Sequence, residues 1–189
     1  VMKIETNYPI DGKVSITFSG KSTQKKLAIR IPDWSDEINI DFPNSTEGAE
    51  YENGFMVFSH SWSRGTNLKL DIEMTAKLIQ SHRLVLDNAG RIAVSYGPSI
   101  YCAENLKLES APQLCVIDLG EEVRPIQKTA PDGSVLLQAS VLRDKPSHTE
   151  ALYEDFADAD TVASTVSLIP YRLWNGKGKS YMQVWLRHN

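Results

Sequence analysis

The sequence of 189 residues contains only two cysteines, Cys102 and Cys115. Two thiols are too few for the disulfide framework that holds many small secreted domains together. Their separation also differs from the Cys-x-x-Cys spacing of redox and metal sites. Because cysteine is among the most frequently buried residue types, we expect two free, buried thiols. A disulfide across a hairpin is the alternative.

Long apolar runs are also missing, and none approaches the ~20 residues of a membrane-spanning helix. The 20 Lys and Arg residues against 24 Asp and Glu residues give a net charge of −4, with no basic stripe. This balance argues against nucleic acid and against an anionic membrane surface as partners. Residues Val1–Glu5 alternate like a strand and do not form a signal peptide. We therefore expect the chain to be part of a longer protein.

A sustained helical period of 3.6 residues is absent as well, and the best helical candidate, Glu150–Phe156, is short. Apolar residues instead recur at every second position, which places them on one face of a strand. This pattern is typical of antiparallel sheets with one face in the core and the other in water. The clearest runs are Val14, Ile16 and Phe18; Leu27, Ile29 and Ile31; Ile38, Ile40 and Phe42; and Leu68, Leu70, Ile72 and Met74.

Turn residues separate these runs at short intervals, for example at Pro32-Asp33, Glu52-Asn53-Gly54 and Arg64-Gly65. Many short strands with frequent turns predict an all-β fold. We divide the chain into two consecutive antiparallel, jelly-roll-like β-sandwiches, residues 1–86 and 87–189. The connection between them is predicted near Leu84–Gly90.

Recognisable catalytic motifs are absent, including the G-x-S-x-G elbow, the phosphate loop, the dinucleotide fingerprint and H-E-x-x-H. Most acidic residues lie on the polar faces of predicted strands or in turns. The densest acidic cluster lacks the EF-hand spacing, so we interpret it as a solvated loop and not a calcium site: Glu154, Asp155, Asp158 and Asp160. The histidines are far apart, at His60, His82, His148 and His188. We predict no catalytic residue, metal ligand or cofactor in this chain.

The tryptophans are the remaining candidates for a functional site. Residues 167–189 contain two of them, Trp174 and Trp185, around an Asn-Gly turn that predicts a closing β-hairpin. Trp34 and Trp62 lie at the ends of predicted strands. Exposed, coplanar rings would form a platform for a sugar, whereas buried rings would only pack the sandwich ends. We favour packing, and keep Trp174, Trp62 and Trp34 as candidate sugar contacts.

Several ordered motifs resemble the C-terminal part of glycoside hydrolase family 127, the β-L-arabinofuranosidase family. The resemblance runs nearly from end to end, although residues 105–165 match loosely. Its motifs are Tyr8-Pro9-Ile10-Asp11-Gly12, Leu27–Trp34, Asn53-Gly54-Phe55, Trp62-Ser63-Arg64-Gly65, Gly90–Glu104, Ile169–Gly176 and Met182-Gln183-Val184-Trp185. One departure is Asn175-Gly176-Lys177-Gly178, where the family often has Asn-Arg-Gly.

The resemblance implies a parent glycosidase with an N-terminal (α/α)6 barrel that carries the catalytic cysteine, the acid/base glutamate and the zinc ligands. Cys102, Cys115 and Glu104 therefore should not inherit those roles. We expect a non-catalytic region that braces this barrel and contributes to a possible homodimer. The alternative is a carbohydrate-binding module for arabinose-containing glycans. The parent is expected in the periplasm or the cytoplasm of a bacterium.

Overall fold

The computed structural model describes residues 1–42, 49–105, 107, 111–144, 153, 161–176 and 178–189. The predicted all-β class is confirmed, since the described helices are three-residue 3-10 turns at Leu86–Asn88, Pro112–Leu114 and Tyr171–Leu173. No helix in these ranges has the length and apolar character needed to cross a bilayer. The helical candidate Glu150–Phe156 lies outside the described residues apart from Tyr153.

The chain folds into two compact units, Val1–Thr75 and Ala76–Asn189. The first unit contains a four-stranded sheet in the order β1-β2-β7-β4 and a three-stranded sheet in the order β3-β6-β5. All pairings in both sheets are antiparallel. The strands are β1 (Met2–Thr6), β2 (Lys13–Phe18), β3 (Thr23–Arg30), β4 (Ile38–Asp41), β5 (Ala49–Glu52), β6 (Phe55–Trp62) and β7 (Asn67–Ile72).

Strand β7 shows how sequence alternation builds this sandwich. Leu68, Leu70 and Ile72 are buried, whereas Lys69 and Asp71 between them are exposed. Burial of each large apolar side chain contributes about 1.5–3 kcal/mol before the entropy cost is subtracted. The strand ends at Ile72, so Met74 of the predicted run lies beyond it. The core around β7 includes Ile16, Phe58, Trp62 and Leu68.

The division between the units falls earlier than the predicted boundary at residues 86 and 87. Strand β8 (Ala76–Gln80) pairs with β9 (Arg91–Tyr96) over its whole length, which places it in the second unit. The predicted connection at Leu84–Gly90 is therefore the loop between two neighbouring strands of one sheet. Turn composition alone did not distinguish a loop within a unit from a linker between units.

The second unit is built on one nine-stranded sheet. Strands β9, β10, β14, β13, β11 and β16 form a closed hydrogen-bonded circuit, because β10 and β16 both pair with β9. One pair, β11 with β16, is parallel, and the others are antiparallel. The remaining strands are β10 (Ser99–Asn105), β11 (Cys115–Ile117), β12 (Arg124–Thr129), β13 (Val135–Asp144), β14 (Thr161–Pro170), β15 (Tyr181–Gln183) and β16 (Leu186–His188).

The predicted closing hairpin does not form, because β14 and β15 do not pair with each other. Both pair with β10, and Ala103 lies opposite Leu168 on one side and Gln183 on the other. The connection Tyr171–Ser180 thus passes across the end of β10. It spans the distance between β14 and β15, which is about 9–10 Å for two strand spacings. A bend at Val184 and Trp185 then separates β15 from β16.

Candidate functional site

Trp62 belongs to the core of the first unit. Its side chain is 6% exposed, and its ring contacts those of Phe18, Phe42 and His60 at centroid distances of 4.4, 5.6 and 5.3 Å. Its indole N–H donates a hydrogen bond to the carbonyl oxygen of Lys25 at 2.8 Å. The ring has no free face for a sugar, so the structure favours the packing interpretation for this tryptophan.

Trp34 lies beside Tyr8 in an open cleft of the first unit. The two ring centroids are 6.4 Å apart, with an angle of 28° between the ring planes. The cleft has a volume of about 570 Å³ and is lined by Tyr8, Arg30, Pro32, Asp33 and Trp34. Tyr8 is 43% exposed and Trp34 is half-buried. This tryptophan is therefore accessible from solvent.

Trp174 forms a similar pair with Tyr171 in the second unit. The rings are nearly parallel, at 14°, with centroids 6.2 Å apart, and both side chains are exposed. The intervening Arg172 donates hydrogen bonds to Asp132 Oδ2 at 2.7 Å and to the hydroxyl of Ser134. Desolvation raises the pKa of Asp132, but hydrogen bonds from Ser134 and Arg172 outweigh it, so this pKa is lowered.

Glu104 holds the other end of the same connection. Its Oε1 atom accepts hydrogen bonds from the Ser180 hydroxyl at 2.6 Å and from the Asn175 backbone N–H at 3.4 Å. Asn175 has a φ of 67°, the left-handed conformation that asparagine tolerates better than most residues. Sequence reasoning gave Glu104 no role, and the structure gives it a positioning role for the Tyr171–Ser180 connection.

Both thiols are free and buried, as predicted. Burial, followed by the nearby Glu104 carboxylate, raises the pKa of Cys102 to about 12. Burial also raises the pKa of Cys115, whereas Arg143 and Arg187 act in the opposite direction. The thiol of Cys115 lies 3.7 Å from the carbonyl oxygen of Ala111. Both groups are therefore protonated at neutral pH, and a thiol is a far weaker nucleophile than a thiolate.

We expect the folded chain to resist alkylation by iodoacetamide at pH 8. At a pKa of about 12, roughly one Cys102 side chain in ten thousand is a thiolate at this pH, and the ring of surrounding strands excludes the reagent. Mass spectrometry should show no adduct in the native chain and two adducts after denaturation in guanidinium chloride. Rapid labelling of Cys102 in the native state would contradict the buried, protonated assignment.

Within the described ranges, no three His, Cys, Asp or Glu side chains come together as metal ligands would. The acidic cluster Glu154, Asp155, Asp158 and Asp160 lies outside these ranges, as does His148.

An open groove of about 650 Å³ follows the four-stranded sheet of the first unit. Charged side chains of opposite sign face each other across neighbouring strands of this groove, Lys13 opposite Asp71 and Lys69 opposite Asp41. The Lys69–Asp41 ion pair is long, at 3.8 Å, and exposed.

Comparison with known families gives matches that coincide with the two units. Residues 1–74 match "Beta-L-arabinofuranosidase, GH127 middle domain", and residues 76–187 match "Glycoside hydrolase family 127 C-terminal domain". The chain belongs to glycoside hydrolase family 127. The predicted resemblance to the C-terminal part of this family is therefore confirmed.

Relatives in family 127 are much longer than this chain. A non-reducing end β-L-arabinofuranosidase from Bifidobacterium longum subsp. longum is 27% identical over 96% of this chain and 29% of its own length. The crystal structure of a family 127 β-L-arabinofuranosidase from Geobacillus stearothermophilus T6 superposes on the whole chain with a TM-score of 0.87 at 24% identity, covering 30% of that structure. A second structure, described as a glycoside hydrolase, gives a TM-score of 0.75 at 25% identity, with 99% of this chain and 32% of that one covered. The chain thus spans about 30% of the length of these relatives.

Sequence reasoning about this family 127 chain selected Trp34 but missed its neighbours Tyr8, Arg30 and Asp33. Tyr8 lies in the turn before β2, whereas Arg30 ends β3 and Asp33 lies in the turn that follows, so no local spacing brings them together. The available signal was the recurrence of an aromatic residue next to a proline turn, in Tyr8-Pro9 and in Pro32-Asp33-Trp34. Proline favours turn conformations by fixing φ, so each of these aromatic residues is expected in a turn next to a strand.

Proposed function

We propose that this chain is a non-catalytic β-sandwich region of a larger family 127 glycosidase, in which it braces the catalytic domain. The proposal rests on how little of its relatives the chain covers. The chain matches a middle and a C-terminal domain and spans about 30% of the length of its relatives. The names of those relatives suggest hydrolysis of β-L-arabinofuranosides by the parent. The resemblance implies that the reaction and the zinc belong to the (α/α)6 barrel.

The chemistry of the described residues supports placing the reaction elsewhere in the parent. Glycoside hydrolysis commonly requires two carboxyl groups that flank the scissile bond across a cleft. Here Glu104 and Asp132 are engaged in holding the Tyr171–Ser180 connection. A cysteine nucleophile would need an accessible thiolate, whereas Cys102 and Cys115 are buried thiols.

A contact surface for the catalytic domain is suggested by the loop between β8 and β9. Three consecutive apolar residues are exposed there: Leu84 at 75%, Val85 at 46% and Leu86 at 77%. The loop is ordered, since the N–H of Val85 bonds to the carbonyl oxygen of His82 at 2.8 Å. Consecutive exposed apolar side chains on an ordered turn are typical of surfaces that another domain covers. We propose that Leu84–Leu86 packs against the barrel of the same parent chain.

The test compares Leu86→Ser in the parent enzyme and in the 189-residue chain. In the parent, the substitution should lower the unfolding free energy by about 1–2 kcal/mol, because a buried contact is lost. In the 189-residue chain the same side chain is solvated, and its replacement should leave the melting temperature unchanged. Leu119→Ser, at another exposed position of the second unit, is the matched control.

An equal effect of Leu86→Ser in both proteins would contradict the bracing contact. A loss of dimer in the parent, detected by analytical ultracentrifugation without a change in the stability of the barrel, would assign the surface to a homodimer instead. Either result would leave the family assignment intact and overturn this part of the proposal.

A further inference from the structure

We propose that the Tyr8–Trp34 cleft of the first unit is a carbohydrate-binding site for one sugar residue of a neutral glycan. The cleft volume of about 570 Å³ falls within the range of small-molecule sites, roughly 300–1,000 Å³. Its lining combines two aromatic rings with one basic and one acidic side chain, Arg30 and Asp33. The site would hold a sugar without catalysing a reaction on it.

The aromatic rings leave surface available for stacking. Their centroid distance of 6.4 Å is well above the ~3.5–4.0 Å of direct carbon–carbon contact. With an angle of 28° between their planes, the rings of Tyr8 and Trp34 are not in close face-to-face contact, and neither fully covers the other. A sugar ring presents a face of C–H groups, and this face can pack on an exposed aromatic ring.

The two charged side chains are free to bind a ligand. Neither the Arg30 guanidinium nor the Asp33 carboxylate makes a hydrogen bond or ion pair with another side chain in the described ranges, and they do not pair with each other. A charge of each sign at one cleft disfavours both simple anions and simple cations. A sugar hydroxyl both accepts and donates, so adjacent hydroxyls can satisfy the Arg30 guanidinium and the Asp33 carboxylate together.

The backbone around the cleft is held in place before any ligand binds. The N–H of Ser35 donates a hydrogen bond to the carbonyl oxygen of Pro32, and the Ser35 hydroxyl lies between two backbone carbonyl oxygens that can accept its proton, those of Glu37 at 2.8 Å and Glu73 at 3.0 Å. On the other side, the N–H of Tyr8 donates to the Thr6 hydroxyl at 3.0 Å. Preorganised loops lower the entropy cost of binding.

A protein partner fits the cleft less well than a glycan does. Charged residues are depleted at the centres of protein interfaces, and covering Arg30 and Asp33 without exact partners would cost desolvation energy. The Leu84–Leu86 surface has the opposite character, because its three exposed side chains are all apolar. The two surfaces of the chain therefore differ in the chemistry of the partner they fit.

The test is isothermal titration calorimetry of the 189-residue chain with a β-L-arabinofuranosyl disaccharide. The choice of arabinose rests on the proposed function, so xylobiose and cellobiose form a second arm. We expect a dissociation constant of about 0.1–1 mM for at least one of these sugars, the range for a ligand of disaccharide size. Binding of xylobiose or cellobiose alone would support the site and contradict arabinose as its ligand.

Variants connect any binding to the cleft. Trp34→Ala should weaken the affinity by about ten-fold or more, and Asp33→Asn or Arg30→Gln by about five-fold, through loss of stacking and of charged hydrogen bonds. The Asp33 and Arg30 changes replace side chains without partners, so the fold should tolerate them. Tyr51→Ala removes an exposed aromatic residue of the same unit outside the cleft, and should leave the affinity unchanged.

Three results would overturn the proposal. The first is the absence of saturable heat with every sugar at concentrations far above the expected dissociation constant. The second is an affinity that Trp34→Ala does not alter. The third is sugar binding by the 189-residue chain that disappears in the parent enzyme, because the cleft would then be covered by another domain. The bracing role is tested separately, by the stability of the Leu86→Ser variant. A failure of sugar binding would therefore leave that role untouched.

Discussion

Replacing Trp62 by alanine is expected to destabilise the first unit by about 3–5 kcal/mol, the cost of deleting a large buried aromatic side chain. The substitution removes ring contacts with Phe18, Phe42 and His60 and the hydrogen bond to the Lys25 carbonyl oxygen. Urea unfolding followed by far-ultraviolet circular dichroism measures the loss. Because the chain has two units, the transition of the first unit should shift while that of the second stays in place.

Trp62→Phe and Tyr51→Ala provide the controls for this prediction. Trp62→Phe keeps most of the apolar contacts but loses the indole N–H, so an intermediate loss is expected. Tyr51 is an exposed aromatic residue of the same unit, and its replacement should cost less than about 0.5 kcal/mol. A small loss for Trp62→Ala, comparable to that of Tyr51→Ala, would contradict the assignment of Trp62 to the core.

Gly12→Ala is expected to destabilise the first unit by about 3 kcal/mol, the upper range for overpacking at a site that cannot relax. Gly12 is buried, and a Cβ atom at this position would overlap the backbone carbonyl group of Ile72. The N–H of Ile72 donates a hydrogen bond to the Gly12 carbonyl oxygen at 3.1 Å, so the two backbones cannot separate without losing it. Differential scanning calorimetry should show a lower melting temperature for the first unit.

Gly120→Ala is the matched control because its added Cβ atom would approach only a side-chain atom, Asp118 Oδ1 at 3.2 Å, and no backbone atom. We expect a change within about 1 kcal/mol there. If both substitutions were tolerated equally, the close approach of the Gly12 loop to β7 would be wrong.

Much of the fold was predictable because alternation is a local signal. The Leu68, Leu70 and Ile72 pattern identified β7 and its buried face, and the three residues are buried as the pattern requires. The family motifs also identified the chain correctly as the C-terminal part of family 127. The assignment of β8 to the second unit could not be predicted from the sequence. It depends on the pairing of β8 with β9, and the residues of the turn between them do not reveal this pairing.

The closing segment shows a second limit of sequence reasoning. An Asn-Gly turn between two strand-like runs predicts a hairpin, yet β10 lies between β14 and β15. The Tyr171–Ser180 connection is long enough to cross that strand, and its anchors, Asp132 and Glu104, are distant in sequence. The candidate cleft is also formed by residues that are distant in sequence. Strands β2 and β3, which belong to different sheets, lie between Tyr8 and Trp34 along the chain.

The central claim is that this chain supports a glycosidase but does not itself cleave glycosidic bonds. It is tested most directly by incubating the purified 189-residue chain with a chromogenic β-L-arabinofuranoside and following release of the chromophore. The account predicts a rate equal to that of buffer alone, with or without added zinc. Saturable hydrolysis that follows the concentration of the purified chain and is lost in Cys102→Ser would contradict it.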